Sequence, residues 1–162
     1  MAANETLAIW EAIGGIPPSS SAATLDVRNG HVVADFDADA NESIYFVSVL
    51  PKHYAGGSIA CKLHWMATSA TSGNVRWSAA FERLEAGSPD LDSNGFQTAV
   101  EATGAANAAS GKLTVTSLTL TALDGAVAGD AFRIAVTRVA NDATNDTMTG
   151  DAELFAVELV EA

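Results

Sequence analysis

From His31 onward, apolar and polar residues alternate with a period of two, the spacing of strands that bury one face. HVVADF sets Val32, Ala34 and Phe36 on one side. ESIYFVSVL is apolar on both faces, as a central strand is. SIACKLHWMAT places Ile59, Cys61, Leu63 and Trp65 on one face and Ser58, Lys62 and His64 on the other. NVRWSAAFERLE turns Val75, Trp77, Ala79 and Phe81 inward, and FQTAVEAT is a weaker strand. In KLTVTSLTLTAL the apolar face switches between Val115 and Leu118, which predicts a bulge near Thr116–Ser117. AFRIAVTRV points Phe132, Ile134 and Val136 inward, and DAELFAVELVEA does the same with Phe155, Val157 and Leu159.

Turn clusters such as YAGG, TSGN, EAGSPDLDSNG and NDATNDTMTGD separate these runs. Eight strands with turn-rich links predict an all-β domain over residues 25–162, an antiparallel eight-stranded jelly roll or β-sandwich. An immunoglobulin-like sandwich is the second choice, but the Cys…Trp…Cys spacing is absent.

Residues 1–24 read differently. NETLAIWEAI suits a short helix capped by Asn4, with Leu7, Trp10 and Ile13 on one stripe. GGIPPSSSAAT then forbids regular structure. The segment reads as an extended or partly helical arm. It is either a frayed end or an arm that packs on a neighbouring subunit, with Leu7, Trp10 and Ile13 as interface candidates.

The chain has 162 residues, 48% apolar and 17% charged, enough for one well-buried domain. Its formal charge of -12 argues against nucleic acid, because phosphate contacts need clustered Lys and Arg. Cys61 is the lone cysteine, so there is no intrachain disulfide, and its place on an apolar face makes it a core thiol. The first residues lack a basic stretch and a long apolar run, so neither a signal peptide nor a membrane span is expected, and synthesis in a cytoplasm is.

DLDSNGFQTAVE, residues 90–101, fits the EF-hand loop pattern at every specified position. Asp90, Asp92 and Asn94 stand at side-chain ligand positions, Gly95 at the turn and Glu101 at the bidentate position. An EF-hand loop needs a helix on each side, and here the left flank alternates like a strand and the right flank is a loop. What remains is a minor candidate calcium loop against a polar turn that satisfies its own backbone. The acidic stretch 141–151, with Asp142, Asn145, Asp146 and Asp151, raises the same question and reads as a solvated loop. No cofactor is expected. GAANAASGKLT has the wrong glycine spacing for a phosphate loop, and no hydrolase elbow or zinc motif is present. His31, His53 and His64 are scattered, Asp35, Asp37 and Asp39 form a loop-like acidic run, and no enzyme activity is expected.

Several segments together resemble a family of small proteins of tailed bacteriophages and prophages, over residues 23–162. The most specific are the Tyr54–Gly57 turn before Trp65, the Ala70–Trp77 hairpin and the Thr147–Leu154 approach to the last strand. The resemblance implies a virion component with a jelly-roll-like fold. Its first implication is a capsid decoration (cement) protein that binds the major capsid protein on the outer surface of a phage head, as a homotrimer, after synthesis in the bacterial host cytoplasm. Its second is a head-fibre or tail-associated module that binds a host-surface glycan or receptor, with an exposed aromatic such as Tyr54 stacking on a sugar. Neither implication involves nucleic acid or a membrane.

Overall fold

A strand with one apolar face hides it by pairing at its edges and stacking against a second sheet. The computed structural model describes residues 4–162 and shows that solution in full. Ten strands form: β1 (Thr6–Glu11), β2 (Thr24–Arg28), β3 (His31–Phe36), β4 (Glu42–Val49), β5 (Ile59–Ala67), β6 (Asn74–Leu84), β7 (Val100–Ala105), β8 (Thr114–Leu120), β9 (Ala131–Arg138) and β10 (Ala152–Glu161). A six-stranded sheet runs β2-β3-β10-β5-β8, with β1 also paired to β10, and a four-stranded sheet runs β4-β9-β6-β7. The strand ladders are antiparallel. The result is a jelly-roll-like β-sandwich.

Phe155 apart, the inner faces are largely those the alternation marked. Trp65, Trp77, Phe36, Phe46, Phe81 and Phe132 are fully buried. Trp65 and Phe36 each meet Trp77 edge-on, at 5.7 and 5.1 Å between ring centroids. Phe81 stacks on Phe132 at 5.2 Å. Where β7 and β8 close the side of the sandwich the sheets nearly touch. A Cβ on Gly104 would lie 2.1 Å from Thr116 Oγ1, the atom that accepts the Trp65 indole hydrogen bond at 2.9 Å.

Among the described residues the strand count is ten rather than eight, because residues 4–24 are not a separate arm. No α-helix forms among the described residues, and the one helical element is the single 3-10 turn Ala12–Gly14. β1 pairs with β10, and its register slips between Thr6 and Ala8. Leu7 is the extra residue, so Leu7 and Ala8 both meet the core and Trp10 follows on the same side. A bulge thereby gives a strand the three-residue spacing that reads as a helix. Residues 16–23 then run along the edge of β4, with Ile16 and Tyr45 exchanging backbone hydrogen bonds of 2.7 and 2.9 Å. One segment thus holds an edge in each sheet. It leads to β2, joined to β3 through Asn29 and Gly30 at φ 48° and 80°, both left-handed as a type I′ hairpin requires.

At one end of the sandwich a charge is buried. Arg138 is fully buried at the end of β9, and its five N–H groups are all used. Nε and Nη2 bond the two oxygens of Asp146 at 3.0 and 2.8 Å. Nη1 donates to Phe36 O at 3.2 Å and Gly150 O at 2.9 Å, and Nη2 to Met148 O at 3.0 Å. The acidic stretch 141–151 is therefore not simply a solvated loop, since Asp146 is one of its anchors.

Two outcomes follow. Asp146→Ala leaves a buried guanidinium unpaired and should cost about 3–5 kcal/mol in urea unfolding; a midpoint equal to wild type would refute the anchoring role. Deleting residues 1–23 strips Leu7, Trp10 and the β4 clip, and each large side chain alone is worth roughly 2–5 kcal/mol. The shortened chain should lose its cooperative unfolding transition, and a transition within about 1 kcal/mol of the full chain would restore the arm.

Candidate functional site

The outer face of the six-stranded sheet is laid out by register. One cross-strand row reads Ser117, Lys62, Glu158, Ile9. The next reads Val115, His64, Ala156, Glu11, and beyond Phe155 a further row holds Met66, Glu153, Asp35. Phe155 has no partner in these rows. It is the extra residue of a β10 bulge between Leu154 and Ala156.

The bulge has a topological cause. The first part of β10 pairs with β3 and the rest with β1, so one edge of β10 changes neighbour at Phe155. A bulge re-aims a side chain. Leu154 and Val157 stay in the core at 0% exposure, while Phe155 turns out and remains half-buried. The expectation that Phe155 faces inward beside Val157 and Leu159 is thereby corrected. The expected bulge near Thr116–Ser117 is also absent. β8 pairs with β5 without a register slip, and Val115 is an outward residue, 52% exposed.

Phe155 stands among three hollows. The first, about 380 Å³, lies between Arg28 and Asn29 on one side and Gly111 and Leu113 on the other, with Met66 below. The second, about 310 Å³, lies over His64, Glu158 and Ile9. The third, about 200 Å³, lies toward Glu11 and Val32. His31 meets Phe155 edge-on at 5.8 Å between centroids. Arg28 reaches across the face from the end of β2, donating to Glu153 at 2.6 Å and to Ala67 O at 2.8 Å. His64 Nε2 lies 4.0 Å from Glu158. The trough thus has an aromatic centre, aliphatic flanks and a rim of paired donors and acceptors. That mixture suits a ligand with apolar faces and polar edges.

The residues singled out from the sequence lie elsewhere. Asp90 is spent on its own turn, its Oδ1 accepting from Asp92 N at 3.0 Å. Asn94 donates to Glu82 at 3.2 Å and to Arg83 O at 2.9 Å. Glu101 sits on β7 and pairs with Arg76 at 2.9 Å. The structure therefore does not bring Asp90, Asp92, Asn94 and Glu101 to one point. Among the described residues no three His, Cys, Asp or Glu side chains gather as a metal-holding group. Leu7 is buried, and Trp10 packs inside the fold at 5.5 Å from Phe46 and 6.0 Å from Phe132, with its indole N–H on Val47 O. As an interface candidate Leu7 is corrected, because its apolar surface is spent within the chain; Trp10 is half-buried and Ile13 stays out, 63% exposed. Tyr54 is not an exposed stacking residue either. It is 5% exposed and its hydroxyl donates to Gly57 O at 2.6 Å.

Asp35 lies on β3 beside the trough rather than in a loop. Its Oδ1 is buried without a hydrogen-bond partner. Burial first, then the charges of Asp151, Glu153, Asp26 and Glu42, push its carboxyl up to about 6. Cys61 is a core thiol, and burial pushes it up to about 12.

No protein-family model matches the chain, and no curated protein matches it in sequence. Solved structures do share the fold. A family 35 carbohydrate binding module from Clostridium thermocellum superposes with a TM-score of 0.54 at 12% identity, over 98% of this chain and 100% of that one. A xylan-binding domain from Paenibacillus barcinonensis gives 0.54 at 10% identity, over 99% and 97%. A carbohydrate binding module of a Cellvibrio mixtus lichenase, solved with cellotriose, gives 0.50 at 13% identity, over 98% and 99%. At these identities the likeness is one of fold.

The unfolded Asp35 ionises near 3.8, so between about pH 4 and 6 the folded chain keeps a proton that the unfolded chain has released. Stability from this group falls as pH rises through that window. Asp35→Asn should raise stability at pH 7.5 by roughly 1 kcal/mol after solvent screening, about 2–4 °C in Tm for a domain of this size, and give no gain below pH 4. An equal gain at both pH values would discard the titration account. The Cys61 thiol should resist a thiol reagent at pH 8 until the chain unfolds, and fast labelling of the native protein would contradict its burial.

Proposed function

We propose that this protein is a non-catalytic glycan-binding module, and that the trough around Phe155 holds the sugar. The observation that carries the proposal is the outward turn of Phe155 at the β10 bulge, which sets a half-buried aromatic ring in the middle of an open sheet face. A pyranose ring offers C–H groups on its faces and hydroxyls around its edge. The negative face of an aromatic ring attracts the first, and the Arg28–Glu153 and His64–Glu158 pairs offer donors and acceptors to the second. The three solved structures of like fold are named as carbohydrate binding modules or a xylan-binding domain, which supports the proposal.

Within the virion setting that the sequence resemblance implies, such a face suits a head-fibre or tail-associated module better than a capsid cement. An arm packing on a neighbouring subunit would favour the cement reading, and Leu7 of that segment is buried in the core with Trp10 packed against it. A trimer on the major capsid protein remains a proposal of the resemblance alone.

Phe155→Ala removes the apolar contact of one aromatic side chain, roughly 1.5–3 kcal/mol. It should weaken glycan binding about ten- to a hundredfold by isothermal titration while the thermal melt changes little. Full affinity in this variant would move the site away from the trough.

A further inference from the structure

The charge pattern of the trough narrows the class of glycan, an inference that rests on the glycan reading above. The guanidinium that lines the trough already faces a carboxylate. Arg28 is bound to Glu153 and to Ala67 O. His64 lies 4.0 Å from Glu158, and Lys62 stands opposite the same Glu158 in the ladder between β5 and β10. His31 is turned edge-on to the Phe155 ring. On the carboxylate side, Glu11 lines the third hollow and Asp35 sits in register beside Glu153. The chain as a whole carries -12. An anionic sugar would meet no uncommitted guanidinium here and would approach against a negative potential. A hydroxyl both donates and accepts, so it fits an ion pair without disturbing its balance.

The shape narrows it further. The two larger hollows adjoin at Leu113 and Phe155, and the third continues past Phe155 to Glu11. A ring seated on Phe155 therefore has room beside it on more than one side, which a terminal sugar would not use. We propose that the trough takes an interior stretch of an uncharged polysaccharide, laid over Phe155, and discriminates against anionic glycans.

Affinity gel electrophoresis of the full chain tests this, in gels carrying xylan, mixed-linkage β-glucan or galactomannan as neutral polymers and polygalacturonate or alginate as anionic ones. The expected result is retardation by at least one neutral polymer and none by the anionic pair. Phe155→Ala should abolish it, and so should Ile9→Ser, which alters an exposed residue of the same trough and guards against a folding defect in the first variant. Retardation at equal polymer mass should not increase when the polymer is cut to shorter chains. Phe155-dependent, salt-sensitive binding to polygalacturonate or alginate would overturn the charge inference and leave the glycan reading standing. Binding that rises with the number of chain ends would overturn the interior mode. Retardation by none of the polymers would overturn the glycan reading itself, and retardation indifferent to both substitutions would overturn the trough as its site.

Discussion

One buried guanidinium sets the end of the sandwich on which the rest depends. Arg138 ends β9 in the four-stranded sheet, and its bonds run to Phe36 at the end of β3 in the other sheet and to Asp146, Met148 and Gly150 in the approach to β10. A charge inside an apolar core is tolerated only when its donors are all met. That requirement gives the 141–150 stretch one shape, and the stretch delivers β10 into the middle of the six-stranded sheet.

β10 then carries the conflict that creates the site. It is flanked by β5 on one side and by two successive neighbours, β3 and β1, on the other. The inner face must keep Leu154 and Val157 in the core, and an unbroken strand cannot point both the same way across an interval of three. An extra residue resolves this, and the residue expelled is an aromatic. The half-buried apolar group on the face is therefore a consequence of how the core is satisfied, and the rim formed by the Arg28 and His64 pairs makes it a usable surface.

Much of the fold was legible in the sequence. All eight expected strand segments contain a strand, β3 to β10, because a buried sheet face imposes its period directly on residue choice. The N-terminal strands were not legible, for identifiable reasons. The bulge at Leu7 imitated helical spacing, and β2 is exposed along almost its whole length and so carries little apolar signal, although Asn29-Gly30 is a hairpin signature that would have placed it. The site was less legible still. In AELFAV, Leu154 and Phe155 are adjacent apolar residues in an otherwise alternating strand, which is the mark of a bulge. The same break of phase between Val115 and Leu118 had a different cause, an apolar residue on the outer face.

The sequence by itself determined the class of fold, the inward positions of most strands and the acidic character of the surface, because these follow from local periodicity and composition. Only the tertiary structure decided which break in periodicity was a bulge, which acidic residue was buried and which aromatic faced out. Each of those depends on a neighbour distant along the chain: β1 and β3 beside Phe155, Arg138 against Asp146, and Phe46 and Phe132 over Trp10. Contacts of that kind leave no period in the chain, so they become visible only when the sheets are assembled.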